Sequence, residues 1–230
     1  MKLSNSAYDT LRRLHSLSGV IPIGAFLLEH LFTNSHAVEG AAAFDGAAAF
    51  LAHLPYVVLL EAFGIWLPIL FHAALGIVIA TAARPDLAHA GYPSNWRYAM
   101  QRSTGLVLVL FIAWHTWSTR FSPEAMRAPS LFEYMRVHLS HPAVFAFYVV
   151  GLLSACWHFG NGLFGFAIHW GLATSRNAQR AAARLGFAVF VVLALVGLNG
   201  LLGFLGHGVR LFERTAEGGT VTAASEAPHR

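Results

Sequence analysis

Five stretches of this chain are apolar over about twenty residues or more, and that length is what a helix needs to cross a hydrocarbon layer ~30 Å thick. They run approximately over Leu14–Ser35, Pro55–Ala83, Trp96–Thr119, Pro142–Leu172 and Ala181–Gly206. With 56% hydrophobic and only 11% charged residues among 230, the composition excludes an ordinary soluble domain. The expected fold is therefore all-α, an integral membrane bundle of five transmembrane helices over residues 1–210. A polar C-terminal tail over residues 211–230 is expected to be disordered. The N-terminus has no charged leader, short apolar core and small-residue cleavage site in sequence, so the first helix is expected to stay in the mature chain. The single cysteine, Cys156, has no intrachain partner, so disulfides do not build this fold.

A formal charge of +4 could suggest a nucleic-acid partner, but the cations lie in short interhelix loops, where membrane topology accounts for them. On one side fall Lys2, Arg12, Arg13, Arg84, Arg97, Arg102, Arg176, Arg180 and Arg184. On the other fall Arg120, Arg127, Arg136, Arg210, Arg214 and Arg230, with most of the loop acids. The loop from His36 to Leu54 has no Lys or Arg. The positive-inside rule places the N-terminus in the cytoplasm and the C-terminus outside, in a multi-pass protein of a bacterial inner membrane.

Thirteen histidines are present, and nine lie in loops or near helix ends. His30, His72, His115 and His158 lie well inside four successive predicted helices, where a polar ring is costly without a partner. At ~1.5 Å per residue, His30 lies ~25 Å from the cytoplasmic start of the first helix and His115 ~27 Å along the third, so both approach the outer face. The second and fourth helices run inward, which brings His72 and His158 to the cytoplasmic half. Two imidazoles at one depth on facing helices are what an iron porphyrin requires, and the chain supplies two such pairs. Gly76 and Gly162 follow their histidines by one turn, and Gly19 and Gly105 precede His30 and His115 by about three turns, at the depth of the other pair. Small residues there would let a flat macrocycle lie against the helix. His15-Ser16-Leu17-Ser18-Gly19 weakly matches Gln101-Arg102-Ser103-Thr104-Gly105, which suggests that the first two helices repeat in the next two.

Arg12-Arg13-Leu14-His15-Ser16 leading to Glu29-His30, Leu67-Pro68-Ile69-Leu70-Phe71-His72, Trp114-His115-Thr116-Trp117 and His158-Phe159-Gly160-Asn161-Gly162-Leu163 together carry a family likeness. From Ala7 to Gly206 the chain resembles the diheme cytochrome b subunit of succinate dehydrogenases and fumarate reductases, in particular the cytochrome b558 type that uses menaquinone. The resemblance implies two haem b groups, with His30 and His115 as axial iron ligands of the outer (distal) haem and His72 and His158 of the inner (proximal) haem. It also implies a flavoprotein subunit with FAD and an iron–sulfur subunit on the cytoplasmic side, and electrons passing between them and a membrane quinone. This chain would be the membrane anchor and quinone-reactive subunit of that enzyme, respiratory complex II of the tricarboxylic acid cycle. It holds no set of groups for dicarboxylate chemistry. Membrane lipid is a further partner, and a dimer of complexes is left open.

Haem propionates need donors, and His15, Ser16, Tyr98, Arg102 and His169 are expected at the cytoplasmic helix ends, where they equally suit interfacial anchoring. Arg120 would serve the outer haem or cap the third helix. Quinone reduction consumes protons, so a titratable group beside the outer haem is wanted. Glu61, ~9 Å inside the second helix, is the first candidate and Glu29 the second. A carboxyl bonded to backbone or water is the alternative for each. Where some relatives carry a further glutamate two residues before the ligand matching His158, this chain has Cys156, which argues against a proton route there.

Two rivals stand beside this reading. A diheme anchor of a hydrogenase or formate dehydrogenase would tend to place two ligands on one helix, unlike the one per helix here. A metal-binding membrane transporter would gather its ligands at one point, whereas these split into two depths.

Overall fold

The computed structural model describes residues 5–82 and 93–210. Ten α-helices appear among them: α1 (Asn5–Val20), α2 (Pro22–Ser35), α3 (Ala41–Ala52), α4 (Val57–Leu60), α5 (Leu67–Ala82), α6 (Pro93–Ser118), α7 (Pro123–Arg127), α8 (Leu131–Ser140), α9 (Pro142–His169) and α10 (Arg176–Phe204). No strand occurs among the described residues. The expected polar tail, with Arg214 and Arg230, lies outside them, as do Lys2, Arg84, His89 and His229.

Among the described residues four segments are long and apolar enough to cross a membrane: Asp9–Glu39, Val57–Thr81, Pro142–His169 and Arg176–Phe204. The first bends at Ile21, because Pro22 has no amide proton to give and restarts the helix as its first residue. The second contains a π-helical turn at Glu61–Trp66. Pro68 follows it, and its ring would collide with the carbonyl four residues back, so the ladder widens ahead of it. Helix α6 has 26 residues, ~39 Å of rise, but its first half carries Arg97 and Arg102.

The bundle is held by close backbone approach. A Cβ built on Gly160 of α9 would collide with the Gly186 carbonyl of α10, and one on Gly186 with the Gly160 carbonyl, so nothing larger than glycine lets these helices meet there. Beside that contact, Leu31, Leu152, Cys156, Leu193 and Ala194 form one buried cluster.

The two segments read from sequence as loops, after the first and third spans, are partly helical. They fold over one end of the bundle as a cap. Phe44 of α3, Phe132, Met135 and Leu139 of α8, and Tyr148 and Phe204 of the long helices share one buried cluster. Asp45 of α3 accepts hydrogen bonds from the Ser130 hydroxyl (2.6 Å) and the Phe132 amide (2.8 Å), tying α3 to the start of α8. Ser130 caps α8 by accepting from the Glu133 amide. Both helices are too short to span a bilayer, and α8 buries its residues at a spacing of three and four.

Candidate functional site

Four histidines project from α2, α5, α6 and α9 and meet in two pairs. The rings of His30 and His115 lie 5.8 Å apart between centroids, near the capped end, at 76° to one another. Those of His72 and His158 lie 6.1 Å apart at 81°, towards the opposite end. These are the partners that helix direction and depth predicted. Two metal–nitrogen bonds of ~2 Å each, with half an imidazole on either side, span about the same distance.

Hydrogen bonds to neighbouring helices orient both rings of the inner pair. His72 donates from Nδ1 to the His15 carbonyl (3.0 Å), with the Ser18 hydroxyl at 3.3 Å. His158 donates from Nδ1 to the Gln101 carbonyl (3.1 Å), with the Thr104 hydroxyl at 3.3 Å. A proton on Nδ1 leaves Nε2 with a free lone pair, the tautomer a metal needs. Histidine and carbonyl residue are separated by 57 positions in both halves, and histidine and hydroxyl residue by 54. The weak sequence repeat is thus a structural one. At the outer pair the register slips: ten positions separate Gly105 from His115, but eleven separate Gly19 from His30. The bend at Ile21–Pro22 falls in that interval.

Glycines clear the space beside the inner pair. A Cβ on Gly19 would lie 2.6 Å from His72 Cε1, and one on Gly105 3.0 Å from His158 Cε1. Gly76 faces the His15 ring and Gly162 the Gln101 side chain, again at matching places in the two halves.

Among the described residues no group of three or more His, Cys, Asp or Glu is arranged to hold a metal ion. That disfavours the transporter reading, which needs such a gathering.

The geometry is joined by likeness to known proteins. A family model described as succinate dehydrogenase/fumarate reductase transmembrane subunit matches residues 83–197, half of the chain. Over 194 residues the chain is 43% identical to the succinate dehydrogenase cytochrome b558 subunit of Bacillus subtilis (strain 168), covering 84% of this chain and 96% of that one. The chain belongs to the succinate dehydrogenase/fumarate reductase transmembrane-subunit family.

In this family member the residues expected to meet propionates divide into two groups at the open end. Arg12 reaches His169 (3.1 Å), whose other ring nitrogen bonds the Gly165 carbonyl, and Trp170 donates to the Ser16 hydroxyl (3.1 Å). Arg102 lies over the Tyr98 ring at 5.1 Å. His15 does not face the interface: its ring stacks on His72 at 3.9 Å. The Nη1 of Arg102 and the Nδ1 of His15 are buried with no hydrogen-bond partner. A buried guanidinium N–H in that state suits an anionic group beside the inner pair.

Near the capped end, Glu61 opens the π-helical turn and is gripped by Arg120, with Nη2–Oε2 at 3.0 Å and Nε–Oε1 at 3.3 Å. Arg120 therefore goes to a carboxylate. The pair sits at the edge of the bundle, with side chains 26% and 51% exposed for Glu61 and Arg120. Glu29 takes a hydrogen bond from Thr33 on its own helix (2.5 Å).

Sequence alone does not single out Tyr148. Its hydroxyl lies 3.2 Å from His115 Nδ1. A tyrosine in an apolar span whose hydroxyl needs a partner was the available signal. Gln101 was visible only through the repeat; its side chain bonds the His158 carbonyl and Asn161.

Proposed function

We propose that this chain is the diheme anchor of a succinate:quinone oxidoreductase, with five membrane spans, α6 joining the four long apolar segments as the third in chain order. His30 and His115 would be the axial ligands of the distal haem b, and His72 and His158 those of the proximal one. The observation that carries this reading is the pair of facing imidazole couples, 5.8 and 6.1 Å apart, with Nδ1 occupied on three of the four rings. The haems would supply one-electron carriers between an iron–sulfur subunit and (mena)quinone.

The chain's own residues do the remaining work. Gly19 and Gly105 let α1 and α6 close on the rings of His72 and His158, and the carbonyls of His15 and Gln101 fix the tautomer of the proximal ligands. Arg102 offers an unpaired buried donor for propionate, with His15, Ser16, Tyr98 and His169 as the further candidates. Glu61 is the leading group for delivering protons to quinone at the capped end, with Arg120 holding its carboxylate, and Glu29 is second.

The cation-rich open end would face the cytoplasm and receive the iron–sulfur and flavoprotein subunits; the cap and the C-terminus would lie outside a bacterial inner membrane. The chain would then be the quinone-reactive subunit, with FAD and the iron–sulfur clusters held by its partners. A reduced-minus-oxidised spectrum with pyridine haemochrome quantitation on the purified chain tests the assignment. Two b haems per polypeptide are expected, and fewer would overturn it.

A further inference from the structure

We infer that Tyr148 is a positioning residue for the outer pair: its hydroxyl accepts the Nδ1–H of His115 and so fixes the orientation and basicity of that ligand, holding down the reduction potential of the distal haem. The inference rests on the proposed ligation of that haem by His30 and His115.

Three of the four rings have an Nδ1 partner, and the partners differ in kind. His72 and His158 give theirs to backbone carbonyls, which no substitution removes. His115 has a phenol hydroxyl at 3.2 Å. In the proposed ligation Nε2 is the atom that holds the iron, so Nδ1 carries the proton and the phenol oxygen is its acceptor.

This hydroxyl is held in place. Tyr148 is 4% exposed and belongs to the buried cluster under the cap. Its ring stands nearly perpendicular to Phe111 (88°), Trp114 (78°), His138 (85°) and His115 itself (83°). Phe111 lies flat against His115 from another side, at 5.5 Å and 14°. The imidazole is thus fixed in plane by one ring and in rotation by one hydrogen bond, and the cap helices keep the donor–acceptor geometry from drifting.

Donation from Nδ1 makes an imidazole more electron-rich and favours the more highly charged iron. Removing the acceptor leaves a buried N–H unsatisfied and a poorer ligand, which favours the reduced iron. Tyr148→Phe keeps the ring and removes only the acceptor.

The test is a potentiometric titration of the whole membrane-bound complex, following both haem bands and the low-spin ferric EPR signals. In Tyr148→Phe the distal haem should favour reduction about threefold more, ~30 mV at ~59 mV per decade, with the proximal haem unmoved. The EPR signal of the distal haem alone should shift. Site-specific 3-fluorotyrosine at 148 keeps ring and hydroxyl but weakens the acceptor, and should move the same haem in the same direction by less. That second variant decides the matter if Tyr148→Phe fails to retain the distal haem. Two haems with unchanged potentials in both variants would overturn the role of Tyr148 and leave the ligand assignment standing. An equal shift in Tyr134→Phe, which removes a nearby hydroxyl bonded to the Ser118 carbonyl, would also overturn it. A wild-type complex with fewer than two b haems would remove both the assignment and the inference.

Discussion

At the open end, His72 and His158 each bond a backbone carbonyl of a neighbouring helix, with a hydroxyl alongside and a glycine opposite. At the capped end, His115 meets a tyrosine hydroxyl, and among the described residues no hydrogen bond reaches the ring nitrogens of His30. The inner pair is thus held by backbone, in two matching halves. The outer pair is held by side chains, under the cap built by α3 and α8. A backbone carbonyl stays wherever the helix stays, so the inner environment resists substitution. The outer environment can be retuned one side chain at a time.

Four experiments bear on that contrast. The largest effect should come from the ligands: His72→Ala and His158→Ala should each lose the same single haem, and His30→Ala and His115→Ala the other. Haemochrome content and band position report this, and loss of different haems within one pair would break the pairing. Next, Glu61→Gln should slow quinone turnover by up to ~10²-fold, within the range of general acid–base catalysis, with both haem spectra kept. Normal turnover would take Glu61 out of the quinone chemistry.

Gly19→Val should discriminate between the two ends more finely. Its side chain would crowd His72, an overpacking cost of ~1–3 kcal/mol. The proximal haem should then be lost first on mild heating, and equal loss of both would show that the glycine serves general packing.

The smallest effect concerns the cap. His138 of α8 lies between Trp114 and Tyr134, its Nε2 buried without a partner, and burial holds its pKa below the ordinary histidine value. Below pH ~6.5 the unfolded chain takes up this proton while the folded chain resists it, so stability falls as pH drops towards the folded pKa. Above ~6.5 the contribution is fully present. Because the ring is only partly buried, the effect should be small, a Tm lower by ~2 °C at about pH 5.5 than at about pH 7.5. In His138→Phe that difference should shrink; an unchanged difference would assign it to other groups.

Much of the site was legible before folding because two of its determinants are one-dimensional. Apolar length marks the spans, and a constant rise per residue converts position into depth, which brought His30 to His115 and His72 to His158. Gly19 and Gly105 followed from the same count, and each does face an inner histidine. The role of those rings towards haem remains the proposal made above, supported by geometry and family membership.

What counting could not reach depends on rotation about the helix axes and on how neighbouring helices bend. Pro22 interrupts the first rod and the π-helical turn resets the second, so the faces beyond them are not continuous with those before. Glu61 and Arg120, 59 positions apart, become an ion pair only once that turn is in place. His15 reads as an interfacial residue by depth, yet its ring stacks on His72. The cap was missed because Ala-rich α3 and amphipathic α8 are stable only when their few apolar side chains find Phe204 and Tyr148 on the long helices. By itself, then, the sequence determined a membrane-embedded helical chain with two histidine pairs at two depths, through apolar length and helical rise. The tertiary structure decided what each histidine leans on, because hydrogen bonds across helices are set by axial rotation and close packing that no single segment encodes.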